Sequence, residues 1–506
     1  MMHIHEVLDM KPSTIKEYFD GQSIFITGST GTLGKILVEK ILRCCPGVAR
    51  VYLLIREKKN IPIAERWKQI TDLPLFDVLK ETNPKALDKV TPVQGDLVTD
   101  NMELSKEDEQ NLIENVTMIY HMGAMVQFTD SLTLAFENNT KATYMLLNFA
   151  RRVKNLQLFV YVSTAFCNMN IPCDKAVEEV IPATLDWRLM MKLLESQPLV
   201  LDALKEKLLS GQPNPYTWSK WLAEQIVNDY RVYFPTIIAR PAAVCSTIRD
   251  PFPAWIDTIG ICGIVHAAAY GILRIIYTRW DSYLDYIPAD AAINAMLVAA
   301  WKKYKEPSPE RTDVYNCCMV KDVSIITEDY QRYGRAIVEN APSKHIVWPY
   351  HCFVTTNELL YRIMFILLQV VPAALVDLVN LLQNKKIWAL KLTTKMANLT
   401  RVYKKFIAVH LEFPNDKYKA LNDVIPETEW DSFNTVYEDL TNEKIISFGY
   451  ESIKKYYLKE ETNERSVIRN KRRLFWLKVM DEILIFCFWM IGVYLLYKVI
   501  ASRLPF

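Results

Sequence analysis

Ile24-Phe25-Ile26-Thr27-Gly28-Ser29-Thr30-Gly31-Thr32-Leu33-Gly34-Lys35 decides the fold. A short apolar run ends in glycines spaced G-x-x-G-x-x-G, and Ile36, Leu37, Ile41 and Leu42 continue at once with helical spacing. This reads as a buried strand, a tight turn and a helix start, the opening of a dinucleotide-binding βαβ unit. Glycine lets the backbone turn sharply there and lets a pyrophosphate approach the helix N-terminus, where free N–H groups favour negative charge. Glycine is otherwise scarce, 14 in 506 residues against a usual share of about 7%, so this cluster is not background.

Length and composition set the frame. The chain is long enough for two or three domains with sizeable cores. A net charge of +2 argues against a general nucleic-acid binder. Met1 to Asp20 carries His, Glu, Asp and Lys with no apolar run, so no secretory signal is expected there. Ten cysteines are scattered, with no C-x-x-C and no His/Cys cluster at metal-ligand spacing. No metal is expected, and the catalytic part should face the reducing cytosol with free thiols. A nucleophilic role stays open for Cys173 and Cys262, structural thiols being the simpler reading.

Outward from the glycine turn, Val51-Tyr52-Leu53-Leu54-Ile55 reads as a second buried parallel strand. Arg56 follows, then Glu57, Lys58 and Lys59. An NAD site usually carries an acid about 20 residues on for the ribose 2′-hydroxyl, whereas a cation suits a 2′-phosphate. Arg56 therefore points to NADPH, although Glu57 pulls the other way and a solvated charged loop would hold the same residues. Val93 to Leu97 reads as a third strand whose turn places the Asp96 carboxylate near an adenine amino group. Met118 to Ala124 is a fourth strand ending in small residues, which let backbone approach a ligand. His121 reads there as a satisfied core histidine rather than a catalyst. A helix from about Leu132 to Val153 carries Asn139. Phe159 to Val162 is a fifth strand, with Ser163-Thr164 at its C-terminal end, where ligand sites of open α/β sheets lie.

Asn214-Pro215-Tyr216-Thr217-Trp218-Ser219-Lys220 gives that strand end its meaning. Tyr216 and Lys220 stand four apart on one helix face. A phenol with a pKa near ~10 is a poor proton carrier at neutral pH, and a nearby ammonium favours its phenolate. The spacing is common by chance, but after the glycine turn and a strand-end Ser-Thr it marks a reductase pair. Ile237 to Val244 is the next strand and its exit, placed to wall the nicotinamide.

Together, the glycine loop, Ser163-Thr164 and Tyr216/Lys220 resemble those of an extended short-chain dehydrogenase/reductase. More narrowly, the chain resembles the alcohol-forming fatty acyl-CoA reductases. That resemblance rests on Thr27 to Lys35, His121-Met122-Gly123-Ala124, Tyr161-Val162-Ser163-Thr164-Ala165-Phe166 and Tyr216 to Lys220. It continues through Arg240-Pro241, Trp255-Ile256-Asp257 and Asp285-Tyr286-Ile287-Pro288-Ala289-Asp290 and covers most of the chain. There are departures: Thr32 replaces the family's usual Phe, Gly123 an Ala, Phe166 a Tyr and Ala254 a Gly. Thr32 and Gly123 bear on cofactor affinity. The resemblance implies NADPH held by Thr27, Gly28, Ser29, Thr30, Gly31, Thr32, Leu33, Gly34, Arg56, Asp96, Leu97, Met122, Gly123, Ala124, Asn139, Lys220, Pro241 and Val244. It also implies catalysis by Tyr216, Lys220, Thr164 and Ser163.

The C-terminal part is read for membranes. Ile363 to Val376 gives 14 uncharged residues between Arg362 and Asp377, broken by Gln369 and Pro372. That is too short and interrupted for a span, and an interfacial hairpin or a lipid-groove wall fits better. From Leu378 to Leu411 there is no acid, but Lys385, Lys386, Lys391, Lys395, Arg401, Lys404 and Lys405 interleave with apolar residues. That suits an anionic membrane surface or a CoA phosphate, and equally a solvated helix face. Ile483 to Tyr497 is uncharged, follows the basic cluster Lys471-Arg472-Arg473 and approaches the ~20 residues a bilayer needs. A buried core helix is the alternative.

The expected architecture is an α/β, doubly wound parallel-sheet Rossmann domain with a mostly helical C-terminal domain and a C-terminal transmembrane helix. Its divisions fall at 1–350, including an acyl-site cap from about 262, then 351–465, and 466–506 as basic linker and anchor. The family resemblance implies NADPH-dependent reduction of a long-chain acyl-CoA to the primary alcohol through a bound aldehyde. No nucleic acid is expected as a partner, a membrane-lipid contact is, and a homodimer is an open option. The catalytic domain is placed in the cytosol, at the endoplasmic reticulum by default, with peroxisomal or lipid-droplet membranes next. The rivals are a membrane-bound short-chain dehydrogenase acting on a sterol or sugar nucleotide, and a non-catalytic scaffold on a degenerate reductase fold.

Overall fold

The computed structural model describes residues 13–58, 61–126, 131–172, 175–258, 260, 262–308, 310–319 and 325–501. Cys173 lies outside them, as do the first residues and the extreme C-terminus, 502–506, and the side chain of Cys262 is not described. By contact the chain divides into two compact units, one of Met1–Trp255, Asp285–Ser324 and Leu411–Leu440, the other of Ile256–Leu284, Ile325–His410 and Thr441–Phe506.

The first unit holds a seven-stranded parallel sheet. In chain order its strands are β1 (Ser23–Thr27), β2 (Arg50–Ile55), β3 (Val90–Gln94), β4 (Met118–His121), β5 (Leu158–Val162), β6 (Thr236–Pro241) and β10 (Asp313–Cys317). The spatial order is β10-β6-β5-β4-β1-β2-β3. Every residue of β1, β4 and β5 is buried, because helices cover both faces; hence the continuous apolar runs. Pro92 is tolerated because β3 is an edge strand, with no further partner to receive its missing N–H. Order reverses between β1 and β4, which pair from Ile24↔Met118 to Thr27↔His121. The crevice beyond the carboxyl ends of such a pair is where open α/β sheets bind ligands. A short parallel pair, β7 (Ala243–Cys245) with β9 (Tyr286–Pro288), extends this unit.

The second unit is mostly helical, with one small parallel pair, β8 (Ile275–Tyr277) and β11 (Phe353–Thr355). Its core gathers Ile264, Leu273, Val338, Tyr450, Ile453 and Leu474. Gln369 and Pro372 do not break the apolar stretch. Helix runs from Glu358 through a π turn at Ile366–Val370 and on through Val371–Leu382. Pro372 falls in the first turn after the π turn, where a missing N–H and a local change of pitch are absorbed. This stretch, Glu358–Leu382, is long and apolar enough to cross a membrane by length and composition. Ala389–Ile407 and the 38-residue Glu464–Ala501 complete the long helices.

Candidate active site

The glycine turn leaves β1 at buried Thr27, whose Oγ1 meets the His121 ring Nδ1 at 2.7 Å and accepts from the Gly123 N–H at 3.3 Å. Gly28 has φ +73°, and a Cβ there would lie 2.5 Å from Gly123 N and 2.6 Å from Met122 C. At Gly34 a Cβ would lie 2.3 Å from Gly28 O. These contacts are with backbone that cannot give way, so only glycine permits the turn. Gly31 is the N-cap of the Thr32–Cys44 helix and supplies no side-chain cap. The positive end of that helix, beside partly exposed Thr30, Thr32 and Leu33, is thus kept for an anion. Ser29 Oγ is buried and makes no hydrogen bond among the described residues. An orphaned hydroxyl beside a two-glycine cradle fits a dinucleotide pyrophosphate.

Arg56 and Asp96 follow β2 and β3 side by side. Arg56 Nη1 donates to Asp96 Oδ2 at 3.3 Å, the guanidinium 63% exposed. The second Asp96 oxygen accepts from the Val98 N–H at 3.3 Å. Leu97 packs towards Gly123, its Cδ1 2.6 Å from where a Cβ there would sit. An Ala at 123 would therefore need the Leu97 side chain to shift. Met122 N donates to Thr27 O at 3.2 Å, and Ala124 follows in the same half-buried stretch.

His121 is a satisfied core histidine: its Nε2 meets Thr143 Oγ1 at 3.0 Å, opposite the Thr27 contact. Burial, with the Lys220 charge beside it, holds it neutral, well below the usual histidine range. Its ring lies 5.4 Å from that of Tyr161, which leads to Lys220. Lys220 Nζ donates to the Tyr161 hydroxyl at 3.1 Å and to Val162 O at 2.7 Å. A continuous chain of contacts thus runs from the glycine turn to the Tyr/Lys pair.

Tyr216 and Lys220 lie on the helix Pro215–Tyr230, capped by Asn214, whose side chain accepts from Thr217 N. Tyr216 is partly exposed and Lys220 buried. Burial pulls Lys220 down to about 7, against the opposing pull of Glu224, which holds its proton on. Glu224 is fully buried in a two-pronged pair with Arg240, accepting from Nε at 2.9 Å and Nη2 at 2.7 Å. Burial works against the Arg240 charge, but Glu224 more than offsets it and keeps the guanidinium above its usual value. Arg240 also donates to Val177 O at 3.1 Å and Glu179 O at 2.8 Å.

The two strand-end hydroxyls differ. Thr164 Oγ1 donates to Pro241 O at 3.4 Å and accepts from Phe166 N at 3.3 Å. Ser163 Oγ is buried with no nitrogen or oxygen partner among the described residues, the Cys167 thiol being its polar neighbour. Asn139 sits in a π turn, Phe136–Lys141. Its Oδ1 accepts from Met125 N at 2.8 Å, and its Nδ2 donates to Ser219 Oγ at 2.9 Å and Met125 O at 3.2 Å. Ser219 in turn donates to Tyr216 O at 2.8 Å. Asn139 thus braces the loop after β4 against the Tyr216 helix. Val244 lies in β7, opposite Ile287.

Sequence reasoning missed Tyr161 and Glu224 and gave Arg240 no role. A signal existed for Glu224, the third member of the row Tyr216, Lys220, Glu224 at four-residue steps. Ala254, where the family pattern has Gly, holds φ +61°, the left-handed region that favours glycine. No group of three or more His, Cys, Asp or Glu able to hold a metal occurs among the described residues.

Comparisons with known proteins agree with the parallel-sheet fold. A family model described as male sterility protein, its NAD-binding part, matches residues 26–296, and a second, the Sterile part of the same description, matches 368–460. The chain is 32% identical over 453 residues to fatty acyl-CoA reductase 1 of Rattus norvegicus, covering 88% of this chain and 87% of that protein. It is 27% identical over 507 residues to fatty acyl-CoA reductase wat of Drosophila melanogaster, covering 98% and 96%. Among solved structures, the terminal R domain from the myxalamid biosynthetic pathway matches with a TM-score of 0.60 at 18% identity, over 86% of this chain and 90% of that one. A Bacillus cereus UDP-glucuronic acid 4-epimerase in complex with NAD matches at 0.50 and 13% identity, over 86% and 100%. These two share the fold.

Proposed function

The chain belongs to the fatty acyl-CoA reductase family, and on that premise we propose that it reduces a long-chain acyl-CoA to the primary alcohol with NADPH, in two steps through an aldehyde that stays bound. It is an oxidoreductase that uses a nicotinamide cofactor on a fatty acyl-CoA. The observation that carries the reading is the contact chain from the glycine turn through His121 and Tyr161 to Lys220, with Tyr216 one helical turn away.

NADPH, when bound, supplies a hydride to the carbonyl carbon in each step. Gly28, Ser29, Gly31 and Gly34 would hold its pyrophosphate, Arg56 its 2′-phosphate and Asp96 its adenine. In the first step Tyr216 gives its proton to the developing alkoxide, and Ser163, whose hydroxyl is uncommitted, or Thr164 donates a hydrogen bond to the same oxygen. Collapse of that hemithioacetal breaks the C–S bond and releases CoA as its thiol. In the second step the same groups serve the aldehyde oxygen. Charged Lys220 lowers the cost of the Tyr216 phenolate and holds the nicotinamide ribose.

The Glu464–Ala501 helix is proposed as the membrane anchor, since Ile483, Phe486, Trp489, Ile491 and Leu495 all stand exposed on it. The catalytic unit would lie on the cytosolic side of the endoplasmic reticulum, or of the peroxisomal or lipid-droplet membrane. Long acyl chains partition into the same phase at about 0.8 kcal/mol per CH₂.

The test is product analysis of detergent-solubilised protein given a panel of acyl-CoAs and NADPH, with Tyr216→Phe alongside. Alcohol from the parent and a loss of about 10²- to 10⁴-fold in the variant, with NADPH binding kept, is the expected result. Aldehyde alone would place the second reduction elsewhere. No product from the parent, with NADPH still bound, would overturn the substrate class.

A further inference from the structure

We propose that the helical hairpin 358–407 is a second membrane-docking element, which seats its leucine face in the acyl-chain layer of one anionic leaflet without crossing it. The proposal is independent of the reaction, and its test reads topology rather than product.

The first helix has two unlike faces. Tyr361, Gln369, Ala373 and Asp377, at steps of four or eight, face protein. Tyr361 stacks edge-on against Tyr277 at 5.9 Å, and Gln369 Oε1 accepts from Arg274 N at 3.3 Å. On the opposite side Leu360, Leu367, Val371, Leu375, Leu378 and Leu382 stand 43–77% exposed. At 1.5 Å rise per residue that bare stripe is about 33 Å long, more than scattered surface leucines explain.

Both ends of this helix are tied to the partner helix Ala389–Ile407. Asp377, the one acid between Arg362 and Leu411, turns inward and accepts from the N–H groups of Trp388, Ala389 and Leu390, each at 2.9 Å. At the other end Glu358 pairs with Lys404 at 2.5 Å. The partner helix packs Met396, Leu399, Tyr403 and Ile407 on the core of its unit. A crossing by the first helix would therefore drag Lys391, Lys395, Arg401, Lys404 and Lys405 into hydrocarbon, an expensive outcome. Lying in the interface instead leaves those charges and Lys385 and Lys386 at the headgroups, with exposed Ile387 and Trp388 at the boundary. Seven cations and no acid from 378 to 411 specify an anionic surface.

The experiment uses the full chain in sealed microsomes from expressing cells, in a Cys487→Ser background, since Cys487 is an exposed thiol. Thr356→Cys and Lys386→Cys, both at exposed positions flanking the apolar helix, are treated separately with an impermeant maleimide-PEG. Parent chains set the background. A third variant, Leu378→Cys, carries an environment-sensitive fluorophore. We expect both flanks to react fully in intact vesicles, and the Leu378 label to be quenched at least two-fold by lipids brominated along their chains. A flank that reacts only after the vesicles are opened would make the helix a span and overturn the proposal. So would two reactive flanks with a label that lipid bromines do not quench, because something other than lipid, such as a second copy, would then cover the face.

Discussion

Replacing Glu224 by Gln removes one charge from a place where water cannot repair the loss. The carboxylate and the Arg240 guanidinium are 0% and 1% exposed and joined by two hydrogen bonds. Breaking such a pair from one side leaves a buried ion without a counter-ion, which costs about 3–5 kcal/mol. At roughly 2–4 °C per kcal/mol for a domain of this size, the Tm should fall by about 10 °C. The same change reaches the reaction through Lys220. Four residues apart on one helix face, the Glu224 charge opposes the burial that pulls Lys220 down. Burial already brings Lys220 to about 7; without Glu224 it should be pushed lower still. The sign follows from the charge: Lys220 is an ammonium below its pKa and neutral above it, so activity is present at low pH and lost as pH rises. At pH 7 the charged fraction should drop well below the half expected of a group at about 7. The assay is the pH profile of acyl-CoA-dependent NADPH oxidation, below the variant's melting temperature, beside thermal unfolding. Activity should fall about ten-fold or more at pH 7 and recover as the pH is lowered. An unchanged Tm would refute the dry pair. A loss that is uniform across pH in folded protein would refute action through Lys220. Glu224→Leu with Arg240→Leu should restore most of the Tm and not the activity at pH 7.

Gly34→Ala puts a methyl 2.3 Å from the Gly28 carbonyl, so NADPH affinity by fluorescence titration should weaken at least ten-fold; unaltered affinity would mean that the turn can open. Arg56→Ala removes an exposed cation whose partner is Asp96. It should raise KM for NADPH about ten-fold or more while leaving NADH nearly unaffected, and an equal change for both cofactors would remove Arg56 from the 2′-phosphate.

The order of elements in the reductase unit was legible because its signals are local. Buried strands flanked by helices read as apolar runs, the turn after β1 needs glycine for steric reasons, and Tyr216 and Lys220 lie one helical turn apart. His121 was readable as a core residue from its place at a buried strand end. Other features depend on parts far apart in sequence. Gln369 and Pro372 look like breaks, yet the helix passes through them because a π turn absorbs the missing hydrogen bond. Arg240 and Glu224 become a pair only once β6 lies beside the Tyr216 helix, and Ser163 and Thr164 look equivalent until Pro241 takes up one hydroxyl. By itself the sequence determined the strand-turn-helix cradle, the Tyr216/Lys220 spacing on one helix face and the family, since each needs only near neighbours and residue type. Tertiary structure alone decided which charges are buried together, which hydroxyl is left unpaired and which face of the 358–382 helix is bare. Those depend on desolvation and partner geometry, which arise only when distant segments pack.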